Sequence, residues 1–165
     1  MGKELGFLEK LELLIPGFRG YKQKELMRED DRLVRNKASG MLDDARQEIE
    51  RILPMIFEKH VGLVERVDDL RRDLMAVSQK IRHASHGYSG FFDRIKIRED
   101  ELGSLLQADY KLITTAQEIR DIACSLRKYI GKEAELVEKI NLLKLKLFDL
   151  DSAINERERM FKEEG

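Results

Sequence analysis

Two aspartates occupy positions in apolar helical stripes that should face a protein core. Asp31 follows Met27 by four residues and precedes Val34 by three, and Asp109 interrupts a stripe of leucines with the same spacing. A buried carboxylate must be paired or hydrogen-bonded, or it takes up a proton. The two carboxylates could therefore bind a ligand or exchange protons. The commoner alternative is that they bond loop N–H groups and tyrosine hydroxyls and hold the helix ends together.

Both aspartates lie within a few helical turns of a loop with the pattern Gly-aromatic-x-Gly-aromatic. This pattern occurs twice, as GFRGY at 17–21 and as GYSGF at 87–91. Glycine suits tight turns because it tolerates positive φ. If the two loops meet at one end of a helical bundle, they and the nearby polar residues form one candidate binding surface, comprising Arg19, Tyr21, Asp31, Arg82, His83, Tyr88, Phe91 and Asp109.

The histidines and the cysteine do not predict a metal site. No histidine follows a glutamate by three residues, the spacing of a di-iron bundle. His83 and His86 are one turn apart, but no convincing third ligand lies near them in the sequence. A single cysteine, Cys124, excludes an internal disulfide and a paired-cysteine metal site. We therefore expect no cofactor.

Apolar residues at steps of three and four predict an all-α protein made of long helices. Charged residues make up 38% of the chain, with only 2 prolines, as is typical of coiled-coil-like helices. Rods of about 30 residues, each about 45 Å long, pack as an elongated antiparallel four-helix bundle. The 165 residues should form one domain with a short helix over 3–14 and long helices over 23–53, 54–85, 99–130 and 132–163.

Pro54 leaves two interpretations of the second and third of these segments. A proline inside a helix costs about 3 kcal/mol and kinks it, whereas a proline in the first helical turn costs little. The chain could therefore reverse near Pro54 to give the four-helix bundle. Alternatively, one long helix kinks at Pro54, and two shorter helices pack on it.

Charge and hydropathy exclude several classes of protein. The formal net charge of −1 gives no overall field that would draw the chain to nucleic acid or to an anionic membrane. No stretch reaches the roughly 18 apolar residues of a membrane span, and the N-terminus shows no secretory signal. The sequence therefore predicts a cytoplasmic protein, and its few Asn, Gln and Cys residues lean towards a thermophilic source.

These features predict a non-enzymatic interaction or scaffold protein whose paired loops bind a protein partner, with a homodimer as a further expectation. A first alternative is nucleic-acid binding, because residues 80–98 combine basic side chains with aromatic ones that could stack on bases. A second alternative is a metal- or small-molecule-dependent enzyme that uses Asp31, His83 and Asp109. Membrane docking by residues 3–15 ranks last, because glutamates offset the lysines of that helix.

Two segments resemble a family of uncharacterised prokaryotic helical proteins. They are IPGFRGYKQKE with REDDRLVR, at 15–25 and 28–35, and IRHASHGYSGFFDRIKIREDELGSLLQADYKLI, at 81–113. Arg32 stands where the family pattern has lysine, and Ala108 replaces an aromatic residue. The resemblance covers about a third of the chain and implies a joint role for the two loops, without naming an activity. The family pattern falls on Pro16, Gly17, Gly20, Tyr21, Asp31, His83, Gly87, Tyr88, Gly90, Phe92, Asp93 and Asp109.

Overall fold

The computed structural model describes residues 6–84 and 99–162, and these residues fold into a helical bundle. Three short 3-10 turns precede α2, join α2 to α3 and follow α4. The all-α class predicted from the sequence is confirmed. Within the described ranges the α-helices are α1 (Phe7–Leu14), α2 (Met27–Lys59), α3 (Val64–His83), α4 (Glu99–Ser125) and α5 (Glu133–Lys162).

Side-chain bonds at matching levels show that two pairs of helices are antiparallel. Between α2 and α3, Arg35 bonds the carbonyl oxygen of Arg82, and the Ser78 hydroxyl donates to Asp43 at 2.9 Å. Between α4 and α5, Arg157 reaches Asp109 at 2.7 Å and Lys146 reaches Glu118 at 2.8 Å. In each pair, residue numbers rise along one helix as they fall along the other, so each pair forms a helical hairpin.

The two hairpins pack side by side with parallel neighbours across the junction. Arg66 and Lys80 of α3 donate to Asn141 and Asp151 of α5 at 2.6 and 2.9 Å, in the same order along both helices. Helix α2 packs against both α3 and α4, and α5 packs against α3 and α4. Consecutive helices α3 and α4 therefore occupy diagonal corners of the bundle.

One end of the bundle collects the elements that carry the candidate site. Because the helices alternate in direction, this end contains the starts of α2 and α4 and the ends of α3 and α5. Helix α1 packs on α4 there, with the Phe7 and Tyr110 ring centroids 5.4 Å apart. The loop at 17–21 lies at this end, as do Ala84 and Glu99, which flank the part of the chain outside the described residues. We call this region the loop end.

The apolar stripes predicted from the sequence form one continuous core along the bundle axis. Ile49, Leu70, Ile119 and Leu143, one from each long helix, have no exposed surface. Burying an aliphatic side chain of this size contributes about 1.5–3 kcal/mol. Repeated along four helices, this burial is the main force that assembles the bundle.

The chain reverses between α2 and α3, as the four-helix interpretation predicts, but it does so at His60 rather than at Pro54, and the alternative of a single kinked helix is wrong. Helix α2 continues through Pro54 to Lys59, and the chain turns at His60, which has φ −140° and ψ 60°. Ile52 and Ile56 on either side of the proline are fully buried. Their packing outweighs the backbone hydrogen bond that the proline removes.

The other helix boundaries differ from the prediction by a few residues. The helix predicted from residue 23 begins at Met27 after a 3-10 turn, and α3 covers 64–83 rather than 54–85. Helix α4 ends at Ser125, where a 3-10 turn replaces the last predicted turn. Residues 3–5 of the predicted short helix, and residue 163 of the last one, lie outside the described residues.

Two glycine-to-alanine substitutions should have opposite effects on stability. Gly20 has φ +69°, and a Cβ there would overlap the Leu8 side chain of α1. Gly40 lies inside α2 with nothing within 4 Å of an added Cβ. Gly20→Ala should lower the free energy of unfolding by about 1–3 kcal/mol, and Gly40→Ala should raise it by about 0.5–1 kcal/mol. Urea unfolding measures both, and a Gly20→Ala protein as stable as the parent would contradict the described loop geometry.

Candidate functional site

The loop at 17–21 is held against the start of α2 by one buried carboxylate. Asp30 has no exposed surface, and it accepts hydrogen bonds from the backbone N–H groups of Arg19 at 3.1 Å and Tyr21 at 2.9 Å. Gly17, Gly20 and Tyr21 have φ of 86°, 69° and 61°. These left-handed conformations turn the backbone N–H groups towards the helix, where the Asp30 carboxylate accepts from two of them.

Both aromatic side chains of this loop point into the bundle. Phe18 is 5% exposed and Tyr21 is 4% exposed. Their rings meet edge to face, with centroids 5.5 Å apart, a favoured aromatic geometry. Arg19, between the two glycines, is exposed. The motif therefore buries its aromatic residues and presents its central residue to solvent.

Inward of the loop, Arg157 joins the two aspartates that interrupt the apolar stripes. Its Nε donates to Asp109 Oδ1 at 2.7 Å, and its Nη2 donates to Asp31 Oδ1 at 2.5 Å. The Tyr21 hydroxyl donates to Asp109 Oδ2 at 2.5 Å, and Arg35 Nε donates to Asp31 Oδ2 at 2.8 Å. We call these five residues the arginine–aspartate cluster.

The cluster connects every long helix with the loop. Asp31 and Arg35 come from α2, Asp109 from α4, Arg157 from α5 and Tyr21 from the loop. Arg35 Nη1 also donates to the carbonyl oxygen of Arg82 in α3 at 2.9 Å. A single network of hydrogen bonds therefore fixes the relative positions of all the elements at the loop end.

The cluster is buried, and its charges are balanced. Its members are between 0 and 7% exposed, and its two guanidinium groups match its two carboxylates. Arg157 Cζ also lies 5.0 Å from the centroid of the Phe161 ring, within the range of a cation–π contact. Within residues 6–84 and 99–162, no buried side-chain nitrogen or oxygen lacks a hydrogen-bond partner. The carboxylates are thus satisfied by the protein itself.

Burial changes the acidity of two members of the cluster. It raises the pKa of Asp109 above the ordinary aspartate value, while the charge of Arg157 and the hydrogen bond from Tyr21 oppose this rise. Burial also raises the pKa of Tyr21 well above its ordinary value, and the negative charge of Asp109 adds to the effect. Tyr21 consequently keeps its proton and remains a hydrogen-bond donor at physiological pH.

One small cavity lies beside the cluster. A cavity of about 10 Å³ adjoins Arg35 and Arg157, and apolar side chains complete its lining. This volume holds about one water molecule. This cavity is therefore too small for an organic ligand.

The structure brings together three of the eight residues predicted for the binding surface. Tyr21, Asp31 and Asp109 meet as predicted, but they meet inside the bundle, bonded to arginines, rather than on a surface. This is the arrangement in which the carboxylates hold helix ends together. Tyr88 and Phe91 lie outside the described residues, so the meeting of the two loops stays a prediction.

The remaining three predicted residues lie on the outside of the loop end. Arg19 and His83 are exposed. The Arg82 side chain is 46% exposed and forms an ion pair with Asp43. The backbone carbonyl oxygen of Arg82 accepts a hydrogen bond from Arg35. None of these contacts joins the three side chains to the carboxylates of Asp31 and Asp109.

Sequence reasoning missed Asp30, Arg35 and Arg157. Arg157 carried a usable signal, because it falls between Ile154 and Phe161 at steps of three and four, as the two aspartates do in their stripes. Arg35 follows Asp31 by four residues, the spacing of a helical ion pair. Two arginines and two aspartates on or beside core stripes form a charge-balanced set, and this set would have indicated mutual pairing.

Comparisons of the chain with protein-family models, with curated proteins and with solved structures found no match. The resemblance to the prokaryotic helical family therefore rests on the sequence patterns at 15–25, 28–35 and 81–113 alone. In the described ranges, no group of three or more metal-ligating side chains is placed to hold a metal ion. No helix in that part of the chain is long and apolar enough to cross a membrane.

Replacing Arg157 should be far more damaging than replacing a surface arginine. Arg157→Met keeps the apolar stem but leaves the buried Asp109 carboxylate without a cation and Asp31 with Arg35 alone, at a cost of about 3–5 kcal/mol. Arg46→Met is the matched control, because Arg46 pairs with Glu50 at 2.7 Å on the surface, and such pairs contribute less than about 1 kcal/mol. Chemical denaturation of both variants at neutral pH measures the difference.

The decrease in the free energy of unfolding caused by Arg157→Met should be smaller at acid pH. Burial already raises the pKa of Asp109 and the charge of Arg157 opposes the rise, so without Arg157 the folded-state pKa of Asp109 rises further above its value in the unfolded chain. The penalty is then absent below about pH 4 and grows as pH rises through the folded-state pKa of Asp109. A loss that is equal at pH 4 and pH 7 would show that the Asp109 carboxylate is not the group left unpaired.

Tyr21 should ionise only when the protein unfolds. Since its folded-state pKa is raised, its contribution to stability is complete below about pH 10 and is lost as pH rises further. Alkaline titration followed by tyrosinate absorbance and by circular dichroism should show one part of the absorbance change coinciding with loss of helix. Tyr21→Phe should remove that part and cost about 1–3 kcal/mol at neutral pH. An absorbance change that is complete before the helix is lost would contradict a buried Tyr21 hydroxyl.

Proposed function

We propose that this protein is a non-enzymatic interaction or scaffold protein that binds a protein partner at the loop end. One observation carries the proposal. All four carboxylate oxygens of Asp31 and Asp109 accept hydrogen bonds from Tyr21, Arg35 and Arg157. Buried carboxylates engaged in this way hold helices together and have no free oxygen for a substrate.

A rigid loop end supports the proposal because rigid surfaces lose less conformational entropy on binding. Asp30 fixes the backbone of Arg19, and Arg35 fixes the end of α3 beneath Arg82 and His83. On sequence grounds we include Tyr88 and Phe91 of the second loop motif in the proposed surface. The partner would then meet the basic side chains of Arg19 and Arg82 on a preorganised backbone, together with the aromatic residues of the second motif.

The nucleic-acid alternative is less well supported by the described contacts. Of the basic residues proposed to hold phosphates, Lys80 pairs with Asp151 at 2.9 Å and Arg82 pairs with Asp43. Both cations would have to exchange a carboxylate for a phosphate. Arg94, Lys96 and Arg98 lie outside the described residues.

The enzyme alternative is also less well supported. It needs Asp31, His83 and Asp109 to share access to a substrate. The two aspartates are 2% and 0% exposed, and the adjoining cavity of about 10 Å³ holds about one water molecule. His83 is on the exposed side of α3.

A binding experiment with matched variants tests the proposal. The immobilised protein is exposed to an extract of cells that produce it, and retained proteins are cross-linked and identified. Arg19→Glu/Tyr88→Ala should lower retention of the partner about tenfold, a loss of about 1.4 kcal/mol in affinity. Arg51→Glu is the control, because its side chain is 59% exposed on α2 and pairs only with a helical neighbour. Arg51→Glu should retain the partner fully.

Two results would contradict the proposal. The first is equal retention of every protein by the parent and the double variant, with both shown to be helical by circular dichroism. The second is retention of nucleic acid instead of protein, with an affinity that falls steeply as salt is raised. The second result would support the nucleic-acid alternative.

A further inference from the structure

A groove runs between α3 and α5, on the side of the bundle where these helices are parallel. Its volume is about 320 Å³, and Ala76, Val77, Leu147 and Phe148 supply most of its lining. Apolar side chains of both helices therefore line an open channel on the surface. This groove lies on the side of the bundle rather than at the loop end. Its lining contains no residue of the surface proposed at the loop end.

The α5 side of the groove exposes apolar surface. Phe148 is 71% exposed, and Leu145, one helical turn before it, is 58% exposed. Residues three apart on a helix are neighbours, so the two side chains form one patch. Contiguous apolar patches on a helical bundle often mark contact surfaces for other proteins.

Four charges of alternating sign lie along the two sides of the groove. Asp73 and Lys80 are seven residues apart on α3, and Lys144 and Asp151 are seven residues apart on α5. Seven residues are close to two helical turns, so each pair lies on one face, about 10 Å apart. Lys80 bonds Asp151 at 2.9 Å across the groove, and Asp73 and Lys144 line it further along. The four charged residues thus form the corners of a square, and the sign of the charge alternates from each corner to the next.

A square of alternating charges is complementary to a second copy of itself. A two-fold axis along the groove places Asp73 of one copy opposite Lys144 of the other. A two-fold axis across the groove places Asp73 opposite Lys80. Opposite signs meet in both cases, as an isologous two-fold interface requires. The charge pattern therefore indicates that the occupant of the groove is another copy of this chain.

We propose that the protein forms a homodimer through the α3–α5 groove, with Phe148 and Leu145 of each copy packed against the same face of the other. The apolar patch supplies the buried centre of the interface, and the four charges form its rim. Such a division into an apolar centre and a polar rim is typical of protein interfaces. The proposal is independent of the partner proposed for the loop end.

Substitution of two equally exposed phenylalanines tests the apolar part of the interface. Phe148→Glu should weaken dimerisation at least tenfold, as measured by sedimentation equilibrium over a range of protein concentrations. Phe57→Glu is the control, because Phe57 is 67% exposed but lies on α2, away from the groove. A parent protein that stays monomeric up to about 1 mM, or equal effects of the two substitutions, would overturn the proposal.

Reversal of charges tests the rim. Asp73→Lys should weaken the dimer, because it places like charges opposite each other under either two-fold axis. The inverted variant Asp73→Lys/Lys80→Asp/Lys144→Asp/Asp151→Lys restores alternating signs and should dimerise with itself but not with the parent protein. Failure of the inverted variant to dimerise, while it remains helical, would overturn the proposal, as would mixed dimers with the parent.

Discussion

The bond between Arg157 and two aspartates is the constraint on which the loop end depends. One guanidinium at the end of α5 joins Asp31 of α2 to Asp109 of α4, at 2.5 and 2.7 Å. Removing charges from water is costly, and only good geometry and complete hydrogen bonding offset that cost. The structure meets both conditions by adding Arg35 and Tyr21. We infer that the cluster selects one arrangement of the helices, because other arrangements would bury unpaired charges.

The GFRGY loop is better explained by this cluster than by direct contact with a ligand. Tyr21 must enter the bundle to reach Asp109, so its backbone takes a φ of 61°. Asp30, one residue before Asp31, holds the loop in that conformation through the N–H groups of Arg19 and Tyr21. The two adjacent aspartates of α2 thus have different roles. Asp30 holds the loop, and Asp31 holds the helices together.

Much of the fold could be predicted from the sequence because the helices follow a regular apolar period. The four long helices and the gathering of Tyr21, Asp31 and Asp109 at one end follow from stripes and spacing. The turn at His60 could not be predicted, since packing of Ile52 and Ile56 outweighs the local effect of Pro54. The role of Arg157 was missed because pairing across 126 residues of sequence depends on which helices are neighbours. The diagonal placement of α3 and α4 has no local sequence signal.

The central claim is that Arg157 is buried and bonded to both aspartates in solution. Proton exchange of arginine Nε–H groups, measured by nuclear magnetic resonance, tests it most directly, because exchange requires the bond to open to water. The account predicts that the Nε–H protons of Arg157 and Arg35 exchange far more slowly than that of Arg32, whose side chain is 59% exposed. Exchange of the Arg157 proton as fast as that of Arg32 would contradict the account.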